Sequence, residues 1–370
     1  MVTLADQVNL VKMIKKVIKA GDALQRQIVP CPEEQEGRGI ADFCQERDFF
    51  RGKFLIHKYP DRAVILATNQ CFEYCRFCFR RNLWREPAWK IQKQDLKQIA
   101  DYLRKHTEIK EIIISGGDPL ALTNQELVEL VKLADLVKPV KLIRIATRAL
   151  TFCPARIDSG LVRIIKQSRK QIWFISHFNH PVELNSEAVQ GIKKLKDTGV
   201  PLLNQTVLLR GVNAQVKILL ALFRELSSLG VKPYYLFQCD PVPGAAHFAT
   251  ELSDSLGIYQ ELNKYSGIIL PRFAFELPGY GKVSPGPGWR IKRKARHYEV
   301  MTPEGEKYQY PVNGKCIALI DYHTDFAPKA LWSAVPAAPL LITPATSQRE
   351  KAASLTPQSK ASRLKAISKL

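Results

Sequence analysis

Residues 68–83 read TNQCFEYCRFCFRRNL, with three cysteines, Cys71, Cys75 and Cys78, in the spacing C-x3-C-x2-C. A structural zinc site usually takes four ligands in two pairs, and the chain has no second C-x2-C. Three thiolates on one loop are typical of an iron–sulfur cluster that keeps one iron open. The stretch therefore predicts a [4Fe–4S] cluster on these cysteines. A zinc site completed by a distant Cys or His remains the alternative.

The composition is that of a globular protein. Of the 370 residues, 46% are hydrophobic and 24% are charged, which is ordinary for soluble domains. No run of about 18 apolar residues occurs, so we expect no membrane span. The opening MVTLADQVNLVKMIKKVIKAGDAL has helical spacing and lacks the apolar core of a signal peptide, so we expect a cytoplasmic protein. Five of the eight cysteines are scattered, which does not indicate a disulfide framework.

The formal net charge of +20 makes nucleic acid or another polyanion a partner to consider. The basic residues are spread along the chain, with a further group in the last forty residues, and no RNA-binding signature accompanies them. We therefore expect no nucleic-acid partner.

Short β-branched runs alternate with helix-like segments after Arg62. The runs are apolar on both faces, as in a buried parallel sheet, and the alternation indicates repeated βα units. Six units fit a full or partial βα barrel or an open doubly wound sheet, and function lies at the C-terminal strand ends in each. The predicted strands are AVILAT (63–68), EIIIS (111–115), KLIRIAT (141–147), QIWFIS (171–176), PLLNQTVLL (201–209) and KPYYLF (232–237).

The cysteine spacing resembles the signature of radical S-adenosylmethionine (SAM) enzymes. The resemblance implies an α/β fold, a partial (β/α)6 barrel, in which the open iron binds the amine and carboxylate of SAM. Residues Ser115, Gly116, Gly117 and Asp118 of SGGDPL look like the loop that receives the amino group of SAM. The two glycines also allow a ligand to approach the backbone closely.

Further segments narrow the resemblance to the lysine 2,3-aminomutase family, from about residue 30 to residue 325. They are YPDR (59–62), CRFCFRR (75–81), HFNHPVEL (177–184), LLNQTVLLRGVN (202–213), KPYYLFQCDPVPGAAHF (232–248) and LPGYGK (277–282).

The family resemblance implies pyridoxal 5′-phosphate (PLP) as a third cofactor, attached to Lys282, with Arg62 near its phosphate. By the same resemblance, Arg80 holds the carboxylate of the substrate through a forked contact. Asp240 and Glu276 align with positions that surround the side-chain ammonium of lysine. Two buried carboxylates would repel each other unless a cation lay between them, so we expect a cationic substrate.

Two features depart from the family pattern. The lysine loop is expected to be flexible and glycine-rich, but LPGYGK contains Tyr280 and is one residue shorter. The short loop and GAAHF (244–248) are similar to the branch that makes β-lysine to modify a translation elongation factor. The C-terminal cysteine cluster that binds zinc in some members is absent, so we expect no structural zinc. For Arg148, His177 and Gln205, at predicted strand ends, cofactor contact and buried support are both open.

The implied domain order is an N-terminal helical extension (1–48), the barrel core (49–250), a PLP-loop and closing region (251–330) and a disordered basic tail (331–370). The implied activity is that of an isomerase, which moves the α-amino group of L-lysine, or of a similar cationic amino acid, to the β-carbon.

Three alternatives stay open for the activity: a radical SAM enzyme that modifies RNA, an aminomutase for another amino acid such as glutamate or arginine, and a zinc-binding module without activity. An aminomutase of this kind would take an amino acid as its small-molecule substrate, and a one-electron reductant of the flavodoxin or ferredoxin type. A homo-oligomer is compatible with the sequence.

Overall fold

The computed structural model describes residues 22–36, 39–312 and 342–343. Its main element is a nine-stranded sheet in which the strands neighbour one another in chain order. Strands β2 to β8 run parallel, while β1 and β9 pair antiparallel at the two edges. The strands are β1 (Leu55–Tyr59), β2 (Arg62–Thr68), β3 (Glu111–Gly116), β4 (Leu142–Ala146), β5 (Gln171–Ser176), β6 (Leu202–Leu208), β7 (Lys232–Gln238), β8 (Arg272–Leu277) and β9 (Gly281–Val283).

Helices connect the parallel strands and follow the apolar periodicity of the sequence. The helix between β3 and β4 begins with a capping box, in which Thr123 and Glu126 each accept from the backbone of the other. The helices are α1 (Asp22–Ile28), α2 (Lys93–Lys105), α3 (Asn124–Leu136), α4 (Ala149–Phe152), α5 (Ser159–Gln167), α6 (Ser186–Lys196), α7 (Val216–Ser228) and α8 (Leu252–Leu262). The short α1 belongs to the predicted N-terminal helical extension.

The predicted partial (β/α)6 barrel is confirmed. All six predicted strands appear as β2 to β7, with bounds shifted by one residue at most. The sequence missed β8, which continues the sheet parallel to β7 inside the predicted closing region. The short run RFAFEL of β8 lies in a Gly- and Pro-rich context that hides the strand pattern. The division of the chain at residue 250 stays a prediction, and 331–341 and 344–370 of the predicted tail lie outside the described residues.

Alternation along the central strands separates the core from the inner face of the sheet. In β3, Ile112 and Ile114 are fully buried and pack in the main hydrophobic core with helix residues such as Leu127. Ile113 and Ser115 point to the other face, where they line a cavity. Because side chains alternate across a strand, the same strands supply both the core and the walls of the cavity.

A second, four-stranded sheet follows the first in the order β12-β11-β10-β13. Its strands are β10 (Arg290–Arg293), β11 (His297–Met301), β12 (Lys307–Pro311) and β13 (Ile342–Thr343). Among the residues that the structure describes, no helix has both the length and the apolar character that a membrane crossing requires.

Candidate active site

One cavity of about 370 Å³ brings all the predicted site residues together. It opens on the inner face of the sheet, where the C-terminal ends of the parallel strands meet. The predicted residues that line it are Arg62, Cys71, Cys75, Cys78, Arg80, Ser115, Gly116, Gly117, Asp118, Asp240, Glu276 and Lys282.

The cysteine loop leaves the end of β2 and is fixed by one buried amide. Asn69 donates to the carbonyl oxygens of Leu83 (3.1 Å) and Pro87 (2.9 Å), and its own side-chain oxygen accepts from the Trp89 backbone N–H at 2.8 Å. These bonds join the two ends of the long loop after β2. The cysteines therefore lie on a segment with fixed ends, although they are some distance from regular secondary structure.

The donor set of the cysteine loop fits a cluster better than a single zinc ion. The loop supplies three thiols, Cys71, Cys75 and Cys78, whereas a structural zinc site is usually closed by four ligands. A four-iron cluster binds each thiolate through a different iron and can keep one iron open.

Burial raises the pKa of all three thiols. The pKa of Cys78 rises to about 12, with the neighbouring Cys75 as the second cause. Thiolates, not thiols, bind metals. The thiols therefore hold their protons until iron binds, and cluster assembly must release protons.

The glycine loop after β3 is bonded directly to the segment that leads into the cysteines. The backbone N–H of Gly117 donates to the Thr68 carbonyl at 2.6 Å, and that of Asp118 donates to the Gln70 carbonyl at 2.7 Å. The predicted SAM loop and the predicted cluster loop thus form one unit.

The carboxylate of Asp118 is buried and already has three protein donors. It accepts from the Leu120 N–H (3.0 Å), the Thr147 hydroxyl (2.7 Å) and the Arg148 N–H (2.8 Å). Burial raises the pKa of Asp118, while these donors oppose the rise. Its visible contribution is to join the loop after β3 to the end of β4, and its contact with the amino group of SAM stays a prediction.

Arg148 connects the cysteine loop to the N-terminal helix α1. Its guanidinium donates to the Cys75 sulfur (2.8 Å), to the Gln27 side-chain oxygen (2.6 Å) and to Glu183 (3.1 Å). These contacts give Arg148 a buried supporting position, and it also lines the cavity, so contact with a cofactor stays open. His177 and Gln205 also line the cavity.

The hairpin of β8 and β9 places Glu276 directly opposite Lys282. The Lys282 ammonium lies 5.0 Å from the ring centre of Tyr235 and 4.9 Å from that of Phe237. The backbone N–H of Lys282 donates to the Tyr59 hydroxyl at 3.0 Å. The side chain is therefore held in a largely apolar wall of the cavity.

Tyr280 explains why this hairpin is ordered, whereas the sequence predicted a flexible loop. The Tyr280 ring is buried and meets Trp289 and Tyr308 edge to face, with centroid distances of 5.6 Å and 5.3 Å. Gly279 and Gly281 on either side have φ of 77° and 105°, a region that favours glycine. The glycines make the tight turn and the tyrosine anchors it, so the shorter loop forms a strand that carries Lys282.

Two buried groups, Lys282 and Asp240, have pKa values shifted towards neutral pH. Burial lowers the pKa of Lys282 to about 8; Glu276 opposes this shift, and the nearby Arg62 and Arg144 add to it. Burial raises the pKa of Asp240 to about 7, and the charge of Glu276 adds to the rise. A buried amine and a buried carboxyl that titrate near neutral pH are typical of reactive or ligand-binding groups.

Two ion pairs occupy the parts of the cavity predicted to bind substrate. The fork of Arg80 binds Glu46, with Nε–Oε2 and Nη2–Oε1 distances of 2.8 and 2.6 Å. Lys58 forms an ion pair with Glu276. Glu276 therefore already has a cation, Lys58, as its partner, so the acidic pair does not by itself require a cationic substrate.

Sequence reasoning did not single out several polar residues that line the cavity, and five of them bear on the site. They are Cys44, Glu46, Lys58, Tyr59 and Arg144. Lysine and arginine on short strands that are otherwise apolar were the available signal for Lys58 and Arg144. Nothing in the sequence around Cys44 and Glu46 indicates that they reach the cavity.

Fold and site together define a radical SAM enzyme, and comparison with known proteins agrees. The profile of the radical SAM superfamily matches residues 65–222. The chain is 36% identical to the L-lysine 2,3-aminomutase of Bacillus subtilis over 259 residues, which cover 70% of this chain and 55% of that protein.

Two relatives cover more of the chain, and both are named provisionally for the same activity. One, from Treponema pallidum, is 38% identical over 300 residues, covering 78% of this chain and 84% of the relative. The other, from Aquifex aeolicus, is 36% identical and covers 77% of each chain. The chain belongs to the lysine 2,3-aminomutase family of radical SAM isomerases, which use a [4Fe–4S] cluster and SAM.

Substitution of Gly117 tests whether the glycine loop after β3 and the cysteine loop form one structural unit. A Cβ at Gly117 would lie 2.2 Å from the Gln70 carbonyl oxygen and 2.8 Å from the Asn69 carbonyl carbon, both backbone atoms. We expect Gly117→Ala to displace the segment that leads into Cys71, to lower the free energy of unfolding by about 1–3 kcal/mol and to reduce the iron bound after anaerobic reconstitution. Urea unfolding and iron analysis measure both effects.

Gly257 supplies the matched control for this substitution. It lies in α8, and a Cβ there meets no atom within 4 Å. Gly257→Ala should stabilise the protein by about 0.5–1 kcal/mol and leave the iron content unchanged. A Gly117→Ala protein with the stability and iron of the wild type would contradict the proposed coupling of the loops.

Proposed function

We propose that this protein moves the α-amino group of L-lysine to its β-carbon, with PLP attached to Lys282 and the cluster held by Cys71, Cys75 and Cys78. One observation carries the proposal: a buried amine, an acidic pair and three clustered thiols line the same cavity. Family membership supports the reaction class, and the identity of the amino acid rests on the acidic residues and on the names of the relatives.

The residues around Lys282 suit a phosphate-bearing aldehyde. With a pKa of about 8, a substantial fraction of the Lys282 amine is neutral at mildly basic pH and able to attack a carbonyl. The guanidinium groups of Arg62 and Arg144 lie close enough to depress that pKa, and guanidinium is well suited to bind phosphate. When bound, PLP supplies a ring system that spreads an unpaired electron.

The residues around the cysteines suit the cluster and SAM. The loop from Ser115 to Asp118 lies against the cysteine segment through backbone bonds, so a ligand on the open iron would meet this loop. Arg148 places a positive charge against the Cys75 sulfur, which favours its thiolate. When bound, the cluster and SAM together supply the radical that starts the reaction. We propose an electron donor of the flavodoxin or ferredoxin type.

The substrate would contact two sets of charged residues that line the cavity. Arg80 offers a planar fork to the carboxylate of an amino acid. Asp240 and Glu276 offer carboxylates to its side-chain ammonium. The aromatic rings of Tyr235 and Phe237 beside Lys282 exclude water from the reacting centre.

Replacement of Cys75 tests the cluster. Cys75→Ala removes one of three ligands, so we expect reconstituted protein to lose most of its iron and its ability to cleave SAM. Cys153→Ala is the control, because Cys153 does not line the cavity, and it should keep both properties. Iron analysis and chromatography of SAM products give the two readouts. A Cys75→Ala protein with full iron content and SAM cleavage would refute the assignment. A wild-type protein that contains zinc and no iron would refute it as well.

Replacement of Lys282 tests the attachment of PLP. Lys282→Ala should retain the iron content of the wild type and lose the near-visible absorbance of bound PLP. Borohydride treatment of the wild type should fix the cofactor to the peptide that contains Lys282, which mass spectrometry can identify. Lys292→Ala, an exposed lysine on β10, is the control and should behave as the wild type. Retention of PLP by Lys282→Ala would show that another lysine holds it.

Asp240 predicts the pH dependence of lysine binding. Below a pKa of about 7, the Asp240 carboxyl of the empty site is neutral and must lose a proton to pair with an ammonium. Lysine affinity should therefore rise between about pH 5.5 and pH 7.5. Asp240→Asn should weaken lysine binding by about a hundredfold at pH 7.5 and flatten this rise. Calorimetric titration at several pH values makes the comparison, and an equal pH dependence in both proteins would exclude Asp240 as the group responsible.

A further inference from the structure

Two ion pairs with similar surroundings lie in the part of the cavity proposed to take the substrate. Glu46 pairs with Arg80, and the two side chains are 18% and 13% exposed. Lys58 pairs with Glu276, and these side chains are 8% and 10% exposed. Lys58 also donates to the Cys44 carbonyl at 2.6 Å. In each pair, one partner is a proposed substrate-binding residue and the other is a residue that has no part in the proposed chemistry.

One short segment, residues 44–46, contacts both ion pairs: Glu46 belongs to the first, and the Cys44 carbonyl accepts from Lys58 of the second. Asp42 accepts from the backbone N–H of Glu46 at 3.0 Å and from that of Arg47 at 3.1 Å, which fixes the turn. Between Cys44 and Glu46, Gln45 has φ of 52°, and its side chain accepts from the Gly279 N–H at 2.9 Å.

A non-glycine residue in the left-handed region is strained and persists only where its surroundings determine it. The bond between Gln45 and Gly279 therefore fixes the segment against the β8–β9 hairpin, which carries Lys282. Glu46 and the carbonyl of Cys44 face the cavity as a consequence of this fixed turn.

We infer that Glu46 and Lys58 are specificity-determining place-holders, which occupy Arg80 and Glu276 until an amino acid with both a carboxylate and a side-chain cation displaces them together. The inference rests on the proposed function, since it takes Arg80 and Glu276 as the groups that bind the two ends of the substrate.

The exchange keeps every charge paired. In the empty site, Arg80 pairs with Glu46 and Lys58 pairs with Glu276. When lysine enters, its carboxylate takes Arg80 and its ammonium takes Glu276, which leaves Glu46 and Lys58 to pair with each other. Glu46 already lies close enough to Lys58 to help raise the pKa of the Lys58 ammonium. No buried charge is left alone, which is the condition that makes a buried exchange inexpensive.

A ligand with only one of the two charges breaks this balance. Norleucine, which has a carboxylate and an uncharged side chain, would displace Glu46 from Arg80 while Lys58 stayed with Glu276. Glu46 would then be a buried carboxylate without a partner, which is strongly unfavourable. The two place-holders therefore select for a substrate that carries both charges. They act through Arg80 and Glu276, which they occupy in the empty site.

The inference is tested by the binding of lysine and norleucine to four proteins. They are the wild type, Glu46→Gln, Lys58→Met and the double variant. Each is reconstituted with iron, sulfide and PLP, without SAM so that no turnover occurs, and titrated anaerobically with lysine and with norleucine. In the wild type, lysine should bind at least about a hundredfold more tightly than norleucine. In Glu46→Gln, Arg80 is free and the norleucine carboxylate displaces nothing, so this ratio should fall by about tenfold or more.

The double variant supplies the decisive comparison. Each single substitution leaves one displaced charge without a partner when lysine binds, whereas the double variant leaves none. Lysine should therefore bind the double variant more tightly than either single variant, and norleucine should show no such coupling. Glu108→Gln removes a carboxylate that does not line the cavity and should leave both affinities unchanged. Wild-type iron content in each variant shows that the fold is retained.

The outcomes separate this inference from the function on which it rests. If lysine binds the wild type but the lysine-to-norleucine ratio is the same in Glu46→Gln, the place-holder role is wrong and the proposed function stands. The role is also wrong if positions 46 and 58 show no coupling with lysine. If lysine does not bind the wild type at all, the proposed substrate is wrong and the inference falls with it.

Discussion

The structure depends on one constraint, which is that charges buried together must be compensated. A cavity of about 370 Å³ is lined by arginines, lysines, carboxylates and thiols. A buried charge without a partner costs several kcal/mol, so most of these groups have fixed partners. Arg148 is paired with Cys75 and Glu183, Arg80 with Glu46, and the carboxylate of Asp118 accepts from three donors. These pairs connect the N-terminal segments, the cysteine loop and the strand ends into one unit.

Two buried groups of the cavity have a pKa near neutral pH. Among the described residues, neither Asp240 nor Lys282 makes an ion pair within 4.0 Å, and each has its pKa moved towards neutrality, to about 7 and about 8. Burial is the main cause in both cases. The cavity therefore contains ion-paired charges, such as Arg80 with Glu46, and two buried groups that titrate near neutral pH.

The elements that could be predicted from sequence were those with local signals. Strands β2 to β7 have continuous apolar runs, and the cysteine spacing is visible within eight residues. The twelve predicted site residues follow these signals and meet in one cavity, because parallel strands bring their C-terminal ends together. The ion pairs of Glu46 and Lys58 could not be found in this way. Their partners lie 34 and 218 positions away along the chain, and pairing at such separations leaves no periodic trace.

The turn at Tyr280 is a second feature that local sequence signals do not predict. The sequence indicates a loop from its glycines, yet the contacts of Tyr280 with Trp289 and Tyr308 turn that loop into an anchored hairpin. The hairpin sets Lys282 opposite Glu276, so the residue proposed to hold the cofactor and a residue proposed to read the substrate move as one piece. The Gln45 side chain bonds to the same hairpin at Gly279. Segment 44–46 precedes the sheet. It contacts both ion pairs and also the hairpin that carries Lys282, the residue proposed to hold the cofactor. In the proposed place-holder role, a turn outside the barrel would govern substrate choice, while the barrel carries the residues proposed for the chemistry.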